Sequence, residues 1–251
     1  MKLRAGVSWL PKRGNSAEEY EDAFYPKTFD PPLVLPFSCA IADGAAATSF
    51  SGLWANLLTE RFCRAGDLKA FDQLLPELRE KWDGETRSKP FPWYIEQQLE
   101  QGAFATLLGV QIIKVEVPAV FRWQAIAVGD SCLFHVKGFD LAAAFPPFKA
   151  EDLKARPMLL SSRPMPDSAT ELYRFADGNF EPGDRLYLVS DAVAGWILQG
   201  VENDTKPFVQ LDQVVRNPDF FLALIERLLN QRELKNDDFT LLWVEALSGD
   251  V

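Results

Sequence analysis

The stretch Phe37-Ser38-Cys39-Ala40-Ile41-Ala42-Asp43-Gly44 decides how this chain is expected to fold. Its first part is a compact, mostly apolar run, and two turn-forming residues follow at once. An apolar run of this length with turn residues at its end is typical of a strand that is buried on both faces. Asp43 would then stand at the tip of a central strand.

The same arrangement recurs along the chain. Val128-Gly129-Asp130 and Ser190-Asp191 end two further apolar runs, Asp237-Asp238 stands just before another, and Glu21-Asp22 leads into an apolar pair. Carboxylates that meet at one edge of a core repel each other unless a positive charge neutralises them. Oxygen-only ligation suits hard divalent cations such as Mg²⁺ or Mn²⁺. At any one of these positions, an aspartate that only forms a turn is the alternative reading.

Strands and helices are expected in mixed order. The predicted strands, which are rich in β-branched and aromatic residues, are 3–10, 37–42, 104–117, 120–128, 132–136, 185–190 and 239–246. The predicted helices, with apolar residues at helical spacing, are 51–64, 68–81, 93–101, 193–198 and 218–231. Because helices are inserted between hairpin-like strand pairs, we predict an α+β layered fold in a single domain over 1–251. The Pro-rich stretch 139–177 is expected to form an irregular surface flap.

Composition and charge exclude several functions. The chain has 251 residues and a formal net charge of −10 at pH 7, so it lacks the basic surface that binding to nucleic acid or an anionic membrane needs. The single histidine, His135, is too few for most catalytic zinc sites and is expected to be structural. The three cysteines fit no disulfide framework, which favours a cytoplasmic location. Neither a signal peptide nor a membrane-spanning run is predicted.

Six short motifs follow one another in a specific order. They are Glu21-Asp22-Ala23-Phe24, residues 39–44, residues 104–108, Ala127-Val128-Gly129-Asp130-Ser131, residues 182–191 and Asp237-Asp238-Phe239-Thr240. Together they resemble the motifs of the metal-dependent Ser/Thr protein phosphatases of the 2C class (the PPM family), in its bacterial-type branch. The resemblance implies a four-layer α-β-β-α sandwich, in which two central antiparallel sheets are flanked by helices.

The resemblance also implies a site and a reaction. The residues that match metal ligands are Asp22, Asp43, Gly44, Asp191 and Asp237, and Asp130 matches a third, weaker metal site. Two Mg²⁺ or Mn²⁺ ions, with a third at the weaker site, would activate a water that hydrolyses phosphoserine or phosphothreonine. Glu21 matches a carboxylate that orients this water, and with Asp43 it forms the implied catalytic pair. The implied partners are a phosphoprotein substrate and a cognate Ser/Thr kinase or its targets.

This chain departs from the family pattern in four places. Ala46-Ala47-Thr48 replaces the Gly-Gly-His of many members, so a histidine proposed as general acid is missing. Ala192 follows Asp191 where many members have glycine. Asp238 replaces the usual asparagine and is expected to face solvent. The usual phosphate-binding arginine is absent from its position, and Lys12 or Arg13 is the candidate to replace it.

Two alternatives stay open. A pseudophosphatase would keep the same fold as a regulatory binding module, which the missing histidine favours. The retained Asp22, Asp43, Asp191 and Asp237 oppose this reading, because a dead site has no need of mutually repelling acids. A hydrolase of small phosphate esters would use the same scaffold, and no sequence feature separates it from a protein phosphatase.

Overall fold

Two five-stranded antiparallel sheets lie at the centre of the computed structural model, which describes residues 2–45, 50–66, 68, 70–87, 91–116, 120–164 and 172–248. The strands are β1 (Lys2–Leu10), β2 (Ala23–Tyr25), β3 (Phe37–Ala42), β4 (Phe104–Ala105), β5 (Leu107–Val115), β6 (Val120–Val128), β7 (Cys132–Lys137), β8 (Asp140–Phe145), β9 (Leu160–Ser161), β10 (Arg174–Asn179), β11 (Asp184–Val189) and β12 (Phe239–Leu247). One sheet has the order β1-β12-β11-β7-β8, and the other has the order β10-β6-β5-β3-β2. The short strands β4 and β9 pair separately.

Helices cover the outer face of each sheet. They are α1 (Ser51–Ala65), α2 (Leu75–Thr86), α3 (Trp93–Gln101), α4 (Asp191–Glu202), α5 (Pro207–Arg216) and α6 (Phe220–Gln231). The first three pack on the sheet that contains β3, and the last three pack on the sheet that contains β12. The predicted α+β fold with two central antiparallel sheets is therefore confirmed. In the part of the chain that the structure describes, none of the helices has the length and apolar character needed to cross a membrane.

Side-chain alternation explains why the central strands read as continuous apolar runs. In β3, Cys39 and Ile41 lie between the two sheets, whereas Ala40 and Ala42 face α1. The same alternation occurs in β11 and β12. Because successive side chains of a strand point to opposite faces, a strand covered on both sides is apolar at most of its positions. This packing directs the ends of the strands, where the acidic residues stand, to the edge of the sandwich.

The structure differs from the sequence-based prediction in the stretch 139–177. It is not irregular throughout, because β8 pairs with β7 and β10 pairs with β6 at the edges of the two sheets. Both strands are poor in β-branched residues, so pairing with a neighbour rather than propensity accounts for them. The irregular chain lies within 146–173, of which 165–171 are outside the described residues. The single-domain assignment stays a prediction.

Two helical features were also missed. Residues 207–216 form α5, although no helix was predicted there. Pro218 precedes the last helix instead of opening it, since α6 begins at Phe220 after Asp219. The helix α5 has its apolar residues Phe208, Leu211 and Val215 on one buried face, so the helical spacing was present in the sequence.

His135 lies inside the sandwich, away from the strand ends. Its Nε2–H donates to Asp184 Oδ2 at 2.8 Å, and the Trp123 indole N–H donates to its Nδ1 at 3.4 Å. Both ring nitrogens are thus used in structural hydrogen bonds, which agrees with the structural role expected for this residue.

Candidate active site

A polar cleft of about 320 Å³ opens at one edge of the two sheets. Acidic residues reach it from separate strand ends, because Asp43 follows β3, Asp130 follows β6, Asp191 follows β11 and Asp237 precedes β12. The other polar side chains of the lining are Glu21, Thr106, Lys154, Lys235 and Asp238. The structure therefore brings together most of the acidic residues that the sequence analysis selected.

The loop at Asp43 and Gly44 is fixed by its neighbours. The Asp43 backbone N–H donates to Thr106 Oγ1 at 2.8 Å, and the Thr106 N–H donates back to the Asp43 carbonyl at 2.9 Å. The Thr106 hydroxyl also hydrogen-bonds Ser131 Oγ at 2.9 Å. A Cβ at Gly44 would lie only 2.6 Å from the Glu21 carbonyl oxygen, so the two acidic loops approach each other too closely for a side chain here.

Asp238 is buried and does not face solvent, contrary to expectation. Its Oδ1 accepts the backbone N–H of Lys12 at 2.8 Å, and its Oδ2 accepts the backbone N–H of Glu21 at 2.6 Å. Both oxygens therefore act as acceptors, which an asparagine in the same orientation could not match, since its amide nitrogen only donates. Glu21 is held further by the Ser51 hydroxyl, which donates to its Oε1 at 2.5 Å, and burial raises the pKa of Glu21.

Asp22 is buried and is not part of the described cleft lining. Thr240 Oγ1 donates to Asp22 Oδ2 at 2.5 Å and in turn accepts the Tyr20 hydroxyl at 2.5 Å. Burial, reinforced by the charge of Asp238, raises the pKa of Asp22 to about 8. Hydrogen bonds from the Thr240 and Ser190 side chains act to lower this pKa, but burial outweighs them, so the ionised form calls for a nearby positive charge.

The other cleft carboxyls are shifted in the same direction. Burial and then the charge of Asp22 raise the pKa of Asp43 well above its usual range. Burial and then Asp191 raise the pKa of Asp130 to about 6. These shifts have the sign expected for acids that share an enclosed space, and a bound cation would reverse them.

Lys235 was not selected from the sequence, but it is in the cleft. Its Nζ lies 3.0 Å from Asp191 Oδ2 and 2.7 Å from Asp237 Oδ2. Burial acts to lower the pKa of Lys235, but the hydrogen bonds and charges of Asp237 and Asp191 outweigh it and raise the pKa. In the sequence, Lys235 stands two positions before the acidic pair Asp237-Asp238, and this proximity could have identified it as a residue of the cleft.

The basic residues that were selected occupy other positions. The Arg13 guanidinium donates to the Glu226 carbonyl at 3.3 Å, and the Arg13 backbone N–H donates to Asn236 Oδ1 at 2.8 Å. Arg13 is therefore used at the surface beside α6 and is not part of the described cleft lining. Lys12 is closer, since its charge acts to lower the pKa of Glu21. The Ala46-Ala47-Thr48 stretch lies outside the described residues.

The carboxylate oxygens of the cleft suit a hard divalent cation, although their present positions do not form a coordination site. Within the described ranges, no three His, Cys, Asp or Glu side chains are arranged to hold a metal ion as they stand. The cleft nevertheless offers carboxylate oxygens, and Asp191 Oδ1 is buried with no hydrogen-bond partner among the residues that the structure describes. An orphaned buried acceptor of this kind is satisfied by a cation, so the residues fit Mg²⁺ or Mn²⁺ by their chemistry.

Comparisons with known proteins identify the fold. No family model and no curated protein matches the chain. The Mycobacterium tuberculosis serine/threonine phosphatase PstP/Ppp is similar at 16% identity and a TM-score of 0.64, over 99% of this chain and 100% of that one. The PstP catalytic domain in complex with two manganese ions has 17% identity and a TM-score of 0.61, over 98% and 99%. The S. agalactiae serine/threonine phosphatase has 15% identity and a TM-score of 0.60, over 97% and 100%. The chain therefore has the fold of the bacterial Ser/Thr phosphatases of the 2C class.

Proposed function

We propose that this protein is a metal-dependent phosphatase that hydrolyses phosphoserine or phosphothreonine in a phosphoprotein. The observation that carries the proposal is the convergence of Asp43, Asp130, Asp191 and Asp237 on one cleft. Aspartates that only formed turns would have no reason to meet. The fold shared with serine/threonine phosphatases supports the same reading.

The proposal assigns the metal ligands by residue. Asp22, Asp43, Asp191, Asp237 and the Gly44 carbonyl would hold two Mg²⁺ or Mn²⁺ ions, and Asp130 with Asp191 would hold a third. When bound, these ions would supply a water activated near neutral pH and positive charge for the phosphoryl oxygens.

The chain's own groups position the reaction. Glu21 is anchored at its backbone by Asp238 and at its side chain by Ser51, so its second carboxylate oxygen is left to orient the attacking water and accept a proton from it. Thr106 fixes the backbone on which Asp43 stands. Because these anchors are in place before substrate binds, little reorganisation is needed at the moment of reaction.

A pseudophosphatase is the second candidate, and one observation favours it. The ammonium of Lys235 already contacts both Asp191 and Asp237, which partly neutralises the cleft without a metal. In that case the protein would be a binding module. Under either function, the proposed setting is the cytoplasm, with a Ser/Thr kinase or its targets as partners.

Hydrolysis of p-nitrophenyl phosphate with Mn²⁺ tests the proposal. We would compare wild type, wild type with a chelator, and Asp43→Asn, with Asp140→Asn as the matched control because Asp140 is an exposed residue of β8 outside the cleft. Turnover that needs Mn²⁺ and is lost only in Asp43→Asn supports the phosphatase. A second step with phosphoserine, phosphothreonine and phosphotyrosine peptides then tests the substrate class. Folded wild type without turnover on any of these would reject the enzyme in favour of the pseudophosphatase.

A further inference from the structure

Lys235 extends into the cleft from the segment that precedes β12. Its ammonium lies between two carboxylates from different parts of the chain, since Asp191 opens α4 and Asp237 leads into β12. Both contacts are made to the Oδ2 atoms and are within hydrogen-bond distance. Between Asp191 and Asp237 the chain forms the helices α4, α5 and α6. Lys235 therefore links the two ends of this helical segment.

The two carboxylates are ones that the proposed function assigns to a metal ion. An ammonium at 2.7 Å from Asp237 and 3.0 Å from Asp191 occupies the space between them. A divalent cation that used the same oxygens could not bind while the ammonium stayed, because both would need to be within contact distance of the same atoms. The lysine and the metal are thus alternatives at this position.

We propose that Lys235 is an internal counter-cation of the cleft, which pairs Asp191 with Asp237 in the metal-free protein and which a divalent cation must displace in order to bind. The inference rests on the proposed function, since it takes these two aspartates to be metal ligands. It assigns a role to a residue outside the set of ligands, namely to weaken metal binding and to hold the strand ends together in its absence.

The exposure of the side chain makes the displacement feasible. The Lys235 side chain is 64% exposed, whereas Asp191 is only 15% exposed. The ammonium can therefore turn into solvent without any repacking of the core, while the carboxylates stay where they are. A flexible four-carbon stem with a compact charge at its end suits this exchange better than a planar guanidinium would.

The charges that line the cleft determine whether the ammonium or a divalent cation is favoured between Asp191 and Asp237. The lining carries six acidic side chains and, in the described part of the chain, the basic side chains of Lys154 and Lys235. Among the described residues, Lys154 takes part in no ion pair of the cleft. One ammonium is replaced by an ion of twice the charge, so the metal-bound form gains attraction, but at the loss of two charge-assisted hydrogen bonds.

Measurement of Mn²⁺ affinity without substrate tests the inference. Calorimetry and the electron paramagnetic resonance signal of free Mn²⁺ would be recorded for wild type, Lys235→Met, Lys235→Arg and, as the matched control from the same cleft, Lys154→Met. We expect Lys235→Met to bind Mn²⁺ roughly tenfold more tightly or better, because the metal then no longer has to displace two charge-assisted hydrogen bonds. Lys235→Arg keeps a positive charge between the two carboxylates and should bind Mn²⁺ no more tightly than wild type, whereas Lys154→Met should stay near wild type.

A measurement on the unmodified chain avoids dependence on the variants. Acetylation of lysines by an N-hydroxysuccinimide ester, followed by mass spectrometry, reports how freely each ammonium is available. We expect added Mn²⁺ to speed the acetylation of Lys235 relative to Lys154, since the metal releases it from its carboxylate partners.

The outcomes separate this inference from the proposed function. If wild type binds Mn²⁺ but Lys235→Met binds no more tightly, and Lys235 acetylation does not respond to Mn²⁺, the inference fails and the proposed function stands. If no form binds Mn²⁺, both fail. If only Lys235→Met binds Mn²⁺, the inference holds in its strongest form and the pseudophosphatase becomes the better description of wild type.

Discussion

Asp238 Oδ2 accepts the backbone N–H of Glu21 at 2.6 Å, while its Oδ1 accepts the backbone N–H of Lys12 at 2.8 Å. One carboxylate thus binds both ends of the loop that leads from β1 to the first acidic residues of the cleft. The contact connects the beginning of the chain to the start of β12. It fixes the backbone of Glu21, and through it the neighbouring Asp22, relative to the other strand ends.

Replacement of Asp238 by asparagine is expected to destabilise the metal-free protein by about 1–3 kcal/mol. The amide nitrogen would face one of the two backbone N–H groups and leave that partly buried donor without its acceptor. Urea unfolding of Asp238→Asn measures the loss, with Asp140→Asn expected to stay within about 0.5 kcal/mol of wild type because Asp140 is exposed. Equal stability of the two variants would show that the two N–H contacts are not needed.

Removal of the Thr106 hydroxyl is expected to lower Mn²⁺ affinity or phosphatase activity by about 10- to 100-fold, the range seen for groups that orient metal ligands. Thr106→Val keeps the shape of the side chain but takes the acceptor from the Asp43 N–H. Thr106→Ser restores the hydroxyl and serves as the control. The prediction fails if the valine and serine variants have the same Mn²⁺ affinity and the same kcat.

The stability of the metal-free protein is expected to fall as pH rises from about 4 to about 8. The folded-state pKa of Asp22 is raised to about 8, whereas an unfolded aspartate titrates near 3.9. In this window the native state binds a proton that the unfolded state has released, so each step to higher pH favours unfolding. Asp43 and Asp130, whose pKa values are also raised, add to the slope with the same sign.

Guanidinium unfolding in the presence of a chelator, at about pH 5.5 and about pH 8, measures this slope. Asp22→Asn should have a smaller slope than wild type, because it cannot titrate. Added Mn²⁺ should flatten the slope, since it favours the ionised carboxylates. A metal-free wild type that is more stable at the higher pH would contradict the assignment.

Two glycine substitutions are expected to change stability in opposite directions. In Gly44→Ala the new Cβ would lie 2.6 Å from the Glu21 carbonyl oxygen and 3.0 Å from the Ser51 carbonyl carbon. These are backbone atoms, so the acidic loops must separate, at a cost of about 1–3 kcal/mol. In Gly84→Ala, in α2, the new Cβ meets no atom of the described residues within 4 Å, and the variant should stabilise the helix by about 0.5–1 kcal/mol.

Thermal unfolding of both variants measures the contrast, and the Mn²⁺ affinity of Gly44→Ala should fall along with its melting temperature. A Gly44→Ala protein that melts with wild type would show that the close approach of the two loops is not required.

The central layers of the fold could be predicted because burial on two faces leaves a clear pattern. The strands β3, β6 and β12 are apolar at nearly every position, and turn residues mark their ends. The acidic tips could be predicted for the same reason, since a polar residue directly after such a run stands out. The edge strands β8 and β10 are stabilised mainly by pairing with β7 and β6, and their sequences lack a continuous apolar run. They were therefore found only in the structure.

The partners of the acidic residues could not be predicted, because they depend on contacts between distant parts of the chain. The sequence separates Asp238 from Glu21 by 217 positions, and Lys235 from Asp191 by 44. Nothing in the local sequence indicates that the carboxylate of Asp238 turns inward to accept two backbone N–H groups. Arg13 shows the converse, since a basic residue near the expected position uses its charge beside α6 instead.

The place of β12 in its sheet has a consequence for the order in which the protein can be made. This strand (residues 239–247) lies between β1 and β11, and it is the partner with which β1 pairs in the sheet. During synthesis β1 must therefore wait for its partner until the residues of β12 have left the ribosome. Asp237 arrives at the same moment, so the carboxylates of the cleft cannot meet before the sandwich closes. A chain whose synthesis has not yet reached β12 therefore has no assembled cleft.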